Sequence, residues 1–237
     1  MDFAPMHRRE TGLLSRVLSK ASPAVERIEM QRAPRADFWD AWNADAATSD
    51  GPLWVALGDS TSQGIGAADP LDGWIPRLLD RLRSATSDPW RVINLSITGA
   101  QFSDIIEHQL PRLEDVQRAG QAPALVTHLA GANNLMAPAS WSRTLRDVRT
   151  ILDALPEHSV VARVGVSSRF NSVMARQING VIEDRARTRP FHLFWPWDWP
   201  SRDGIGEDKW HPGPKGYGYM TDVIFEQVRT SLARSSR

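Results

Sequence analysis

The chain holds 237 residues, enough for one domain with room for an extension at roughly 150 residues per domain, and enough to bury a core without disulfides or metal. Hydrophobic residues make up 41% and charged residues 24%, so disordered and fibrous classes are excluded. Lys+Arg and Asp+Glu both count 28, which leaves no basic excess for nucleic acid or anionic lipid, and the absence of cysteine excludes a disulfide scaffold, a thiolate metal site and a Cys nucleophile.

No apolar run reaches the roughly 20 residues of a membrane span. Arg16 and Lys20 interrupt the stretch 12–20, so the N-terminus does not read as a signal peptide, and the expectation is a cytoplasmic protein. Residues 1–50 read as a helical extension. Leu13, Leu14, Val17 and Leu18 fall at helical spacing, as do Phe38, Trp39, Trp42 and Ala46, with breaks near Ser22-Pro23 and Ala33-Pro34. Tryptophans at that spacing are usually buried anchors, which favours a segment packed on its own domain over an arm for a partner or a membrane.

Residues 51–237 alternate. Short apolar runs at 53–57, 91–95, 124–130, 159–166 and 191–195 predict strands. Helical patterns at about 74–85, 102–110, 141–154, 172–187 and 216–233 separate or follow them. This order predicts an α/β fold in three α/β/α layers, with a five-stranded parallel sheet covered on both faces. Ligands in such sheets bind beyond the carboxyl ends of the strands, so the strand-to-helix loops are the candidate sites.

Those loops hold chemistry. The first reads Gly58, Asp59, Ser60; the second carries Gly99; the third reads Gly131, Ala132, Asn133, Asn134; the fifth ends in Asp208, Lys209, Trp210, His211, Pro212. Singly, Ser60 reads as well as a helix cap, Gly99 as a turn, and the two asparagines as turn or cap residues. The Asp208/His211 pair is more specific. Of six histidines only His211 has a carboxylate three residues before it, a spacing that brings the carboxylate to Nδ1 and leaves Nε2 for a nucleophile. A hydroxyl, a glycine, an amide donor and an Asp/His pair are the parts for acyl transfer through a serine ester. His128 lies mid-strand and reads as a satisfied core histidine.

Other readings fit less well. The glycines of loop 1 lack the third glycine of a dinucleotide site, and no Gly-Lys-Ser of a phosphate loop exists. Gly-x-Ser-x-Gly is absent as well. Asp198, Asp203, Asp208 and His211 could approach a metal, but no paired histidine motif supports one, and neither metal nor cofactor is expected.

In this order the motifs resemble those of the SGNH (GDSL-type) hydrolases, esterases and lipases of flavodoxin-like fold. Gly58-Asp59-Ser60 is similar to the first block, Asn94 to Gly99 to the second, Gly131 to Asn134 to the third, and Asp208 to Pro212 to the last. The resemblance covers about residues 53–230 and extends to small lysophospholipase-like esterases. It implies Ser60 as nucleophile, His211 as base and Asp208 as its acid. It implies an oxyanion hole from the Ser60 N–H, the Gly99 N–H and the Asn133 side chain. Thr61 stands where the family has leucine, and Asn134 where it has a structural aspartate.

The resemblance implies a small-molecule carboxylic ester as substrate, with a carbohydrate O-deacetylase, an acyltransferase or a silent binding protein as alternatives. Trp195, Trp197 and Trp199, clustered before the last loop, read equally as an apolar wall or sugar platform and as a strand end plugged into the core.

Overall fold

The computed structural model describes residues 5–10, 22–136, 140–165, 172–197, 199 and 202–235. Five short strands, β1 (Leu53–Gly58), β2 (Arg91–Asn94), β3 (Leu125–Leu129), β4 (Val160–Ala162) and β5 (His192–Phe194), pair in parallel in the order β2-β1-β3-β4-β5. Ala56 of β1 lies opposite Asn94 of β2 on one side and Thr127 of β3 on the other. The strand order reverses between β1 and β3, so the loops leaving these two strands diverge and open a crevice.

The helices are α1 (Pro23–Glu29), α2 (Arg32–Thr48), α3 (Trp74–Thr86), α4 (Phe102–Asp104), α5 (Leu110–Arg118), α6 (Ala132–Met136), α7 (Trp141–Ala154), α8 (Ser172–Ala186) and α9 (Pro214–Ser235). A π-helical turn, Ile105–Gln109, joins α4 to α5.

Side-chain alternation along the strands splits the interior into two cores. Val55, Leu57, Ile93, Val126 and Val161 face one core with residues of α5, α7 and α8. Trp54, Ala56, Val92, Leu125 and Val160 face the other with α3 and α9. Every residue of β1 is buried, as a strand covered on both faces requires. Helix α3 shows how the sequence supplies its half. Trp74, Ile75, Leu78, Leu79 and Leu82 make one buried stripe, and Ser87 closes the helix in the left-handed conformation with its N–H on the Arg83 carbonyl.

The extension shares these cores. Met6 and Ala46 belong to the first and Trp39 to the second, while Trp42 packs against both. Helix α2 lies along β2, where the Asn43 side chain donates to the Asn94 carbonyl and accepts the Asn94 N–H. The predicted stripe at Leu13–Leu18 lies outside the described residues. The predicted break at Ala33-Pro34 is displaced: the chain bends at Met30–Gln31, and Pro34 sits in the first turn of α2, where its missing N–H costs nothing.

Two other expectations change. The helix expected to end near Leu110 continues to Arg118, because the π-helical turn places Pro111 in the first turn of α5, and Leu113 and Val116 extend the buried face. The third loop contains a short helix, α6, that apolar periodicity does not show. Among the described residues no helix is long and apolar enough to cross a membrane.

Candidate active site

Ser60 follows β1 directly. The last residue of the strand, Gly58, is held by the buried side chain of Gln109, which accepts its N–H at 2.9 Å and donates to its carbonyl at 2.8 Å. Asp59 then turns the chain. Its Oδ1 accepts the Thr61 N–H at 3.0 Å, and its carbonyl accepts from Ser62 and Gln63, so Ser60 tops a single tight turn. Ser60 is 5% exposed. At the far end of the loop Gly66 has φ +100, and a Cβ there would lie 2.4 Å from the Pro212 carbonyl oxygen and 3.0 Å from His211 Cβ. Only glycine lets the nucleophile loop and the histidine loop meet this closely.

The histidine loop is tied to itself by bonds from the Gly206 N–H to the His211 carbonyl and from the Gly213 N–H to the Gly204 carbonyl. Within it, Asp208 Oδ1 accepts the N–H groups of Trp210 and His211, both at 3.0 Å. Oδ2 stands 2.6 Å from His211 Nδ1, and His211 Nε2 stands 2.9 Å from Ser60 Oγ. Burial by itself would raise the Asp208 carboxyl. The His211 hydrogen bond and charge, with the two N–H groups, outweigh it and hold the group below its ordinary value. An ionised carboxylate at Nδ1 fixes the tautomer that leaves the Nε2 lone pair facing the Ser60 hydroxyl.

In the loop after β2, Gly99 has φ +81. Among the described residues no group accepts from the Ser60 or the Gly99 N–H. Asn133 Nδ2 donates to the Ala100 carbonyl at 3.0 Å and lies 3.5 Å from Asp59 Oδ2. The neighbouring Asn134 is buried and turned away, its Oδ1 accepting the Phe102 N–H at the start of α4. The structure thus joins Ser60, His211 and Asp208, and sets Asn133 against Asp59 and Ala100, the neighbours of Ser60 and Gly99 in the chain.

It keeps only two of the three tryptophans together, Trp197 and Trp199, whose rings pack at 5.1 Å between centroids. Trp195 is 37% exposed with its ring under the Arg163 guanidinium, which pairs with Glu183 of α8. Trp199 packs over Gly204 and Gly216 and donates to the Pro196 carbonyl. Trp197 lies against Gly165, just past β4 at the carboxyl end of the sheet. Trp210, edge-on to the His211 ring, is an aromatic that the clustering of the other three hid. Asp198 lies outside the described residues, and Asp203 accepts from Lys215 rather than turning to Asp208.

One further group was given no role in the sequence reading, and another departs from it. Asp59 is fully buried, and desolvation pushes its carboxyl up to about 6 against the lowering effect of the Thr61 N–H and of the His211 charge. His128 is no satisfied core histidine. Among the described residues neither ring nitrogen has a hydrogen-bond partner, the ring stacks near Phe102, and burial pushes it down to about 4, so it is neutral at physiological pH.

The fold recurs in solved structures. The crystal structure of TesA superposes with a TM-score of 0.64 at 18% identity, covering 76% of this chain and 99% of that one. The psychrotrophic esterase EstA from Pseudoalteromonas sp., inhibited by monoethylphosphonate, gives 0.62 at 18% identity, with 76% and 98% covered. A variant of Axe2, an acetyl xylan esterase from Geobacillus stearothermophilus, gives 0.55 at 17% identity, with 77% and 96% covered. No curated protein matches the sequence itself. The sequence pattern of one family, however, spans residues 56–219, from the end of β1 past the histidine loop: the chain belongs to the GDSL-like lipase/acylhydrolase family.

Proposed function

We propose that the protein is a serine esterase that hydrolyses short- to medium-chain or lysophospholipid-like carboxylic esters through an acyl-enzyme at Ser60. The observation that carries this is the unbroken chain of hydrogen bonds from Asp208 through His211 to Ser60. His211 Nε2 takes the Ser60 proton as Oγ attacks the ester carbonyl. The oxyanion of the tetrahedral intermediate meets the Ser60 and Gly99 N–H groups and the Asn133 amide, donors placed where charge develops. The C–O bond to the alcohol breaks as His211 returns the proton to the leaving alkoxide. A water molecule, deprotonated by His211, then attacks the acyl carbonyl; the bond from the acyl carbon to Ser60 Oγ breaks, His211 returns the proton to Oγ, and the carboxylic acid leaves.

Trp197, at the carboxyl end of β4, is the tryptophan of the three that we place along the path of the substrate. Residues 1–50 act in this reading as an extension of a hydrolase domain spanning 51–237. The test is hydrolysis of p-nitrophenyl esters from acetyl to palmitoyl, with Ser60→Ala alongside and a fluorophosphonate probe located by mass spectrometry. Turnover abolished by Ser60→Ala and a probe adduct on Ser60 are expected. An adduct on another serine, or a fully active Ser60→Ala, overturns the assignment.

A further inference from the structure

Helix α2 carries an unusual stripe. Gln31, just before it, and Arg35, Trp39 and Asn43 within it recur every four residues, so they share one face. Each bonds backbone of the core domain. Gln31 accepts the Gly66 N–H and donates to the Ala67 carbonyl; Arg35 donates to the Ala67 and Ala68 carbonyls; Trp39 donates to the Gln63 carbonyl. The loop that begins at Ser60 is therefore gripped along its second half by the extension.

Beside this stripe, Arg32 reaches the second loop. Its Nη2 donates to the Thr98 carbonyl at 3.4 Å and to the Arg9 carbonyl at 3.1 Å, and its Nε lies 3.6 Å from Glu29. Arg9 is itself anchored to Asp104, the last residue of α4. The guanidinium is thus fixed on several sides, and its nitrogens stand 3.6 and 3.8 Å from where a Cβ on Gly99 would be.

The Thr98 carbonyl and the Gly99 N–H belong to one peptide unit. In a trans peptide the two groups point in opposite directions within one plane, and no peptide bond here is cis. Whatever fixes the carbonyl on one side aims the N–H on the other. A cation on the carbonyl oxygen also draws electron density from the amide and makes its N–H a better donor. The Ala100 N–H on the Ile97 carbonyl closes a turn with Thr98 and Gly99 at its centre, but such a turn accommodates two orientations of its central peptide, so a contact on the Thr98 carbonyl selects between them.

From this we propose that Arg32 is a positioning residue for the oxyanion hole: it holds the Thr98–Gly99 peptide plane so that the Gly99 N–H points at the developing oxyanion. The N-terminal extension is then part of the catalytic apparatus. The proposal rests on the serine-esterase reading and on Gly99 as donor.

The experiment is steady-state kinetics of the full chain with p-nitrophenyl acetate, for the parent, Arg32→Lys and Arg32→Met, each checked by thermal melt and by its rate of fluorophosphonate labelling. Complete loss of one oxyanion donor typically costs 10² to 10³ in kcat, so a misaimed one should cost about 10-fold. Arg32→Met is expected to lower kcat and the labelling rate about 10-fold with KM within twofold. Arg32→Lys, which keeps a cation able to reach a carbonyl, should recover part of the loss. Added guanidinium should restore part of the Arg32→Met rate, which a folding defect would not allow. An unchanged kcat in Arg32→Met, or a rise in KM alone, overturns the proposal. So does a melt shift that accounts for the loss, with no rescue by lysine or guanidinium. A parent that neither turns over esters nor labels at Ser60 overturns the esterase reading first, and this proposal with it.

Discussion

The amide nitrogen of Asn133 is shared between two oxygens, the Ala100 carbonyl at 3.0 Å and the Asp59 carboxylate at 3.5 Å. One hydrogen is well held, and the other faces a long contact that a stronger acceptor can displace. A tetrahedral oxyanion is such an acceptor, and the interaction strengthens as charge develops. Asn133→Ala is therefore expected to lower kcat by about 10² to 10³ with little change in KM. Asn134 should behave differently. Its Oδ1 serves the Phe102 N–H, so Asn134→Ala costs about 1–3 kcal/mol of stability with kcat largely kept, while Asn134→Asp retains the acceptor and should be close to neutral. Kinetics and melts on the three variants check this. A collapse of kcat in folded Asn134→Ala would exchange the two roles.

Asp59 and His128 oppose each other in their effect on stability against pH. Asp59, raised from 3.8 to about 6 by burial, contributes stability that is full below its unfolded value and lost as pH rises through 6. His128, lowered from 6.5 to about 4, contributes stability that is full above its unfolded value and lost as pH falls through 4. At 1.36 kcal/mol per unit each shift is worth roughly 3 kcal/mol, so between pH 4 and 6 the two slopes largely cancel. Single substitutions should unmask them. Compared with wild type, Asp59→Asn is expected to lose stability on acidification from pH 7 to 4, and His128→Leu to gain it. Chemical denaturation across that range measures both; parallel curves for all three proteins would show that neither group titrates as described.

Gly66→Ala should strike the histidine rather than the serine. The new Cβ would collide with the Pro212 carbonyl and His211 Cβ, in a conformation that already disfavours a side chain. Loss of more than 10-fold in kcat is expected, with a stability loss of about 1–3 kcal/mol. Gly120→Ala is the control: it has a similar positive φ but open space around it, so only stability should fall. Ester hydrolysis and melts on the two variants separate steric displacement of His211 from backbone strain.

Gln109 gives a fourth prediction. Its amide serves the Gly58 N–H and C=O together, and the Gly58 carbonyl also accepts the Ile97 N–H. Gln109→Leu therefore orphans mainly the buried N–H, a cost of about 1–3 kcal/mol. Gln109→Glu keeps an acceptor for that N–H but sets a buried carboxylate against the Gly58 carbonyl oxygen. It should be the worse of the two above neutral pH, as denaturant titration would show.

How much of this was legible in the sequence depended on range. Ser60, Gly99 and Asn133 could be selected because each follows closely on an apolar run, and Asp208 and His211, at the end of the long loop after β5, because the Asp/His contact closes within one turn. Gln31, Arg35 and Asn43 could not, since a search for helical faces looks for apolar residues, while these polar ones bond backbone 32 to 51 residues away. Gln109 was hidden by the π-helical turn, which rotates it inward out of step with the 3.6-residue period. Nor does any pattern announce that His128 goes without a hydrogen-bond partner among the described residues, because alternation along β3 reports burial and not bonding.

The clasp of Asn43 on Asn94 has a consequence beyond the reaction. β2 is the outermost strand on its side of the sheet, and the outward N–H and C=O groups of such a strand invite pairing with a strand from another molecule. Asn43 fills that role with a side chain, donating and accepting as a neighbouring backbone would, while α2 covers the strand. Whatever loosens α2 therefore also exposes a template for self-association, so Asn43→Ala should first become visible as concentration-dependent aggregation during mild heating.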